Sequence, residues 1–252
     1  MKEVKLTIPN KWEDITISVY QKYIKVQGSK IDERKKIINS IALLCNTTET
    51  IVKQMNFKDL KDIVKIIKEL VDTEPNKMMF KKRFKFDNED YGFIPNLSKL
   101  TTGEYIDLEN YCKEPIENLH VIMSILYRKI TFKRGERYAI EDYDPDQFKE
   151  ELFKSCPMDI ALSSLGFFFD FRRKISKDFS QLFEKTEQEN TDKKGSVNME
   201  SKWGWYNILY GLSNSILDIE KIVKKPILEV LTYLAFTQDH NNTNNNNYDK
   251  LQ

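Results

Sequence analysis

The sequence predicts an α+β fold that is mostly helical: a small antiparallel sheet of hairpins packed with helices, plus a helical C-terminal lobe. Three observations predict it. Apolar side chains recur at helical spacing along much of the chain, as in Leu60, Ile63, Val64, Ile67 and Leu70. Two short β-prone runs are broken by polar turns, Asp87-Asn88-Glu89-Asp90 and Arg134-Gly135-Glu136. Pro115, Pro157 and Pro226 each stand ahead of an apolar run, where the fixed φ of proline suits the first turn of a helix.

The elements follow in order. Val4, Leu6 and Ile8 alternate with polar residues and predict a strand ended by Pro9. Residues 15–71 predict a bundle of four helices. The first carries Tyr20, Tyr23 and Ile24 on one face and ends at Gly28. The second runs from Ile31 to Cys45, Thr47-Thr48-Glu49 caps the short third, and the fourth starts at Asn56 or Phe57. Met79 to Phe86 and Tyr91 to Ile94 predict a hairpin, which Pro95 stops because it offers no N–H to a ladder. Thr101 or Thr102 caps a short helix with Glu104 and Asp107 in its early turns. Pro115 opens a longer helix, with Leu119, Ile122, Met123, Leu126 and Tyr127 as its buried stripe. A second hairpin spans Ile130 to Tyr143, and a short amphipathic helix Asp146 to Phe153. Pro157 leads a long helix reaching toward Glu184.

This organisation predicts a main domain over residues 1–184 and a mobile polar linker over 185–202. A helical lobe follows over 203–238, and an Asn-rich, disordered tail over 239–252.

Composition narrows the function. Of the 252 residues, 31% are charged and 40% hydrophobic, which predicts a soluble globular chain. The 40 basic and 39 acidic residues nearly cancel, so no global field draws the chain to nucleic acid or an anionic membrane. The first residues lack a signal-peptide core, and no uncharged stretch is long enough to span a bilayer. Cys45, Cys112 and Cys156 are scattered and read as reduced packing thiols.

The residues offer little to catalysis. His120 has no histidine or cysteine at metal spacing, and His240 lies in the Asn-rich tail. Asp142, Asp144 and Asp146 imitate the start of a calcium loop. Gln147 stands where that loop needs glycine and Phe153 where it needs a bidentate glutamate, so they read as turn formers. Glu104, Asp107 and Glu109 around Tyr105 read as a solvated helix face rather than an acid–base pair. No glycine-rich phosphate loop occurs. Lys81, Lys82, Arg83 and Lys85 alternate with Phe80, Phe84 and Phe86, a pattern able to bind single-stranded nucleic acid. The balanced charge favours a strand with one apolar and one charged face. Arg172, Arg173, Lys174 and Lys177 form a second basic cluster.

The aromatic group Trp203, Trp205, Tyr206 and Tyr210 is the candidate partner-binding site, because tryptophan and tyrosine dominate binding hot spots. Trp203, Tyr206 and Tyr210 follow one helical face; Trp205 and Leu209 define another. Either face can be the buried one, and spacing does not choose.

Several phrases in order resemble a family of tailed-bacteriophage morphogenesis proteins, the tail assembly chaperones. They are Trp12-Glu13-Asp14-Ile15-Thr16 with Tyr20 and Tyr23; Tyr91-Gly92-Phe93-Ile94-Pro95-Asn96; Gly103-Glu104-Tyr105-Ile106-Asp107-Leu108; Leu126-Tyr127-Arg128; Pro157-Met158-Asp159-Ile160-Ala161-Leu162; and Trp203-Gly204-Trp205-Tyr206 with Leu209-Tyr210. The chain departs from the family in its polar linker, its Asn-rich tail, and Lys129 in place of a proline. The resemblance implies a viral protein of the host cytoplasm or the virion. It would bind phage tail or virion proteins, such as a tape-measure protein, with no catalytic residues, cofactor or membrane. The competing readings are a structural virion component of neck or tail, and a nucleic-acid or host-factor binding protein.

Overall fold

The computed structural model describes residues 5–73, 79–147, 149–183, 204–213 and 215–248, the last seven by their backbone. The predicted linker and Trp203 lie outside these residues, as does Val4. The fold is α+β and mostly helical, as the sequence predicts. The chain divides into two compact units. One comprises Met1–Pro95 with Tyr111–Phe167; the other comprises Asn96–Asn110 with Phe168–Gln252.

The first unit opens with helices whose ends are written in the sequence. Helix α1 (Ile17–Gly28) is capped by Thr16, whose side chain accepts from the Val19 N–H. Asp32 caps α2 (Glu33–Leu44), Thr48 caps α3 (Glu49–Lys53) and Asn56 caps α4 (Phe57–Val71). The inward stripe of α4 is Ile63, Ile67 and Leu70, all buried, while its other faces carry lysine and aspartate.

The sheet has four antiparallel strands in chain order: β1 (Arg83–Phe86), β2 (Glu89–Phe93), β3 (Tyr127–Arg134) and β4 (Arg137–Ile140). Asp87 and Asn88 form the whole first turn. Both have positive φ, 49° and 62°, the signature of a type I′ hairpin turn. Gly135, at φ 59°, and Glu136 make the second turn. An irregularity between Ile130 and Phe132 shifts the β3–β4 register.

Helix α6 (Leu119–Leu126) passes into β3 without a loop. The Tyr127 N–H closes the helix on the Met123 carbonyl, while Tyr127 itself pairs with Phe93. One sheet face is aromatic. Phe84 lies 4.9 Å and Phe93 5.3 Å from the Tyr127 ring, and Tyr91 lies 5.5 Å from Phe153, each edge to face. Two further helices complete this unit's core: α7 (Glu150–Phe153) and the first part of α8 (Met158–Asp178). The Tyr127 hydroxyl reaches the Lys81 carbonyl at 2.5 Å and Ser164 Oγ at 2.8 Å.

The second unit joins α5 (Thr102–Tyr111), through Asn110, to the rest of α8, α9 (Ser180–Phe183), α10 (Gly204–Leu212), α11 (Ile216–Val223) and α12 (Ile227–Tyr248). Thr101 pairs with Pro226 as a lone bridge. Around it, the Thr102 N–H donates to the Lys225 carbonyl at 2.8 Å and the Ile227 N–H to the Leu100 carbonyl at 2.9 Å.

Several expectations are corrected. Residues 5–10 form no strand, although Leu6 and Ile8 are half-buried beside exposed Lys5 and Thr7; the alternation reflects packing of one side of an unpaired segment, not a ladder. Pro115 lies in a run of turns, and the helix begins only at Leu119. Tyr127 belongs to β3, because pairing with β2 overrides the helical spacing. The compact second unit takes in residues 96–110 and starts at Phe168, rather than beginning at 203, because backbone bonds tie the start of α5 to that of α12. Helix α12 continues through the Asn-rich segment to Tyr248, where disorder was expected from Asp239.

Candidate partner-binding surface

Helix α10 resolves the choice between its two faces. Ile208 and Leu209 are buried, and Trp205 is half-buried with its ring edge-on to Tyr105 at 5.8 Å. Tyr206 and Tyr210 are on the other side, 48% and 70% exposed. Trp205 is therefore an inner anchor, and Tyr206 and Tyr210 are the accessible members of the predicted group. The (i, i+4) spacing of the two tyrosines places their rings over adjacent turns.

The neighbouring helices leave apolar side chains outward too. Ile216 and Leu217 begin α11 at 75% and 77% exposure. On α12, Ile227, Val230, Leu231 and Ala235 point inward, whereas Tyr233 and Phe236 are exposed. With Leu228, Glu229 and Thr232 they form an exposed, mainly apolar strip along this one helix. Sequence reasoning missed this strip because Tyr233 and Phe236 sit in a run of apolar residues that reads as core on all sides. Exposed apolar clusters of this kind mark interaction sites more often than isolated ones do.

The other candidate residues have structural work. Glu104 is buried. Its carboxylate accepts from the Thr101 N–H at 2.7 Å while Thr101 Oγ1 accepts from the Glu104 N–H at 3.2 Å, a reciprocal capping box at the start of α5. Arg172 donates to Glu109 at 2.9 Å. Glu104 and Glu109 thus do not form the solvated patch expected from the sequence. Asp144 accepts from the Asp146 N–H and from Gln147, so it shapes a turn. Among the described residues, no group of three or more histidine, cysteine, aspartate or glutamate side chains could hold a metal ion.

On β1, Phe84 and Phe86 pack with Tyr91 on the aromatic face. Arg83 belongs to the opposite face. It lies over the Tyr138 ring and donates to the Gly135 carbonyl at 2.7 Å and to Glu136 at 3.0 Å. Arg173 of the second basic cluster pairs with Asp170.

His120 is half-buried on α6. The Gln21 amide bridges from α1 to its Nδ1 at 3.1 Å and to the carbonyls of Ile116 and Glu117. Burial, and then the Lys154 ammonium, hold the imidazole below its usual value of 6.5, against an opposing pull from Glu150 and Glu151. A lowered folded value means that the unfolded chain binds the proton more readily. The stabilising contribution is complete above the unfolded value and is lost as pH falls through the folded one. Urea midpoints should therefore drop on acidification below about 6.5, and His120→Gln should flatten that limb. An unchanged acid limb in the variant would exclude His120 as its source. His240, expected in a disordered tail, lies on α12 with its ring 6.1 Å from Phe236. Burial pushes the Cys45 thiol up to about 11 and the Cys156 thiol to about 12, as suits packing groups.

No helix among the described residues is long and apolar enough to cross a membrane. Comparison of the chain with protein-family models, curated proteins and solved structures finds no match.

Proposed function

We propose that the chain is a bacteriophage assembly protein that binds an apolar helical segment of another phage protein, in the manner of a tail assembly chaperone. The observation that carries this reading is the outward placement of Tyr206 and Tyr210 while Trp205, Ile208 and Leu209 anchor their helix from within. Large, stiff aromatic side chains held on a packed helix lose little entropy on binding, which is what hot spots require. The exposed strip on α12 adds apolar surface against which an amphipathic helix can pack. The phage assignment itself rests on the resemblance of the sequence phrases.

The test is capture from infected cells with the full chain as bait. Wild type should retain one or a few phage tail proteins, a tape-measure protein foremost. Tyr206→Ala and Tyr210→Ala should each weaken capture about tenfold without moving the melting temperature. A chaperone should also be scarce in purified particles. Stoichiometric presence in the virion would replace this reading with a structural one, and undiminished capture by both variants would remove the α10 surface from it.

A further inference from the structure

The near-cancellation of charge over the whole chain does not extend to the sheet. Its strands carry two basic residues on β1, four on β3 and one on β4, against Glu89 and Asp90 alone. Those two carboxylates are taken: Lys129 pairs with Glu89 at 2.7 Å and Lys133 with Asp90 at 3.6 Å. Glu136, the acidic residue of the second turn, is held by Arg83 at 3.0 Å. Arg134 and Arg137 are therefore in surplus, and among the described residues neither has an ion-pair partner.

The ladder fixes the side they occupy. Residues directly opposite in an antiparallel pair share a face, and neighbours along a strand alternate. Lys133 is opposite Tyr138, whose ring lies against Gly92, so that side of the β3–β4 hairpin is turned onto β2. The pairs Phe132 with Ala139 and Arg134 with Arg137 take the other side. All four residues are exposed, Phe132 by 58%. Ala139 is too short to cover the phenyl opposite it.

Two arginines directly across a ladder repel, and like charges so placed destabilise a sheet. In such a pair the Cβ atoms stand about 5 Å apart, close enough for both guanidiniums to fork onto one phosphate. An anion between them replaces the repulsion with charge-assisted hydrogen bonds. The phenyl beside them on the same face decides which anion. A nucleobase offers a flat π-face to stack on it, and an aromatic ring flanked by basic residues on a strand is the arrangement that grips single strands. The carboxylates of an acidic peptide make no use of the ring. In a duplex the bases are stacked on one another and do not reach it.

We infer that the outward face of the β3–β4 hairpin binds single-stranded nucleic acid. Arg134 and Arg137 clamp one phosphate, and Phe132 stacks the adjoining base. This is a function beyond the capture of a protein helix, on a different unit of the chain.

The experiment follows the fluorescence anisotropy of a labelled oligothymidylate titrated with the full chain at several salt concentrations. Binding should saturate and weaken as salt rises. Arg134→Gln and Arg137→Gln should each weaken it about tenfold, and the two together should flatten the plot of log affinity against log salt by about 0.7, the loss of one phosphate contact. Phe132→Leu keeps an apolar side chain without a flat ring. It should weaken binding about tenfold and leave that slope unchanged. Lys58→Gln removes a charge from an exposed position on α4 and should alter neither quantity. Melting curves should coincide for all four variants, because each replaces an exposed side chain. The inference falls if binding does not saturate, if Phe132→Leu binds like wild type, or if Lys58→Gln loses as much as the arginine variants. It also falls if a duplex of the same length binds as tightly. Displacement of the oligonucleotide by polyglutamate as readily as by unlabelled oligothymidylate would make an acidic protein segment the occupant instead. These outcomes leave the α10 proposal untouched.

Discussion

Replacing Tyr127 by alanine should cost about 4 kcal/mol of stability, in the range found when a buried aromatic ring is truncated. Tyr127 is fully buried and is at once the last link of α6 and the first residue of β3. Phe84 and Phe93 pack edge-on against its ring, and its hydroxyl ties the Lys81 carbonyl to Ser164 on α8. Ser164 Oγ also lies 2.6 Å from the Ile160 carbonyl, so its single hydrogen is shared between that carbonyl and the phenol oxygen. Tyr127→Phe keeps the ring and removes only the hydroxyl. It should cost about 1–2 kcal/mol, mostly from the Lys81 carbonyl left without this donor. Urea denaturation would separate the two effects as midpoint shifts at constant slope. If alanine and phenylalanine cost the same, the ring contributes little and the hydroxyl is the whole effect.

Much of this architecture is legible in the sequence, because its signals are local. Thr16, Asp32, Thr48 and Asn56 cap the first four helices as their residue types suggest. Asp87-Asn88 and Gly135-Glu136 turn the hairpins because Asp87, Asn88 and Gly135 accept the positive φ that such turns demand. The pairing of β2 with β3 was not legible. It joins strands separated by α5 and α6, and long-range pairing leaves no trace in local spacing. The same holds for Leu100–Thr102 against Lys225–Ile227, which assigns α5 to the second unit. At the candidate site, spacing identified the two faces of α10 but not which is buried. That depends on Tyr105, far earlier in the chain, which receives Trp205. The outward face of the β3–β4 hairpin was equally invisible, since which side of a hairpin is covered is a property of three-dimensional surroundings.

Gly92 shows how one of those surroundings constrains a single position, and Gly92→Ala should cost about 1–3 kcal/mol by overpacking. A Cβ built there would stand 2.5 Å from Tyr138 Cε2, 2.8 Å from Cδ2 and 3.1 Å from Ile130 Cγ1. The Tyr138 ring cannot swing away cheaply. Its hydroxyl donates to the Phe93 carbonyl at 2.7 Å, and the Arg83 guanidinium lies over it at 5.6 Å. Glycine is therefore required on this strand for the close passage of another strand's ring, not for its backbone angles. Tyr138→Ala alone should destabilise, because it abandons the hydroxyl bond and the ring's contact with the sheet. Combined with Gly92→Ala it should cost less than the sum of the two, since the new methyl then enters space the ring has left. A double-mutant cycle by urea denaturation measures that difference directly. Strict additivity would mean that the clash is relieved by a strand shift instead, and Gly92→Ala alone would then be expected to alter the pairing of Gly92 with Arg83 and Arg128, visible as faster hydrogen exchange along β1 and β3.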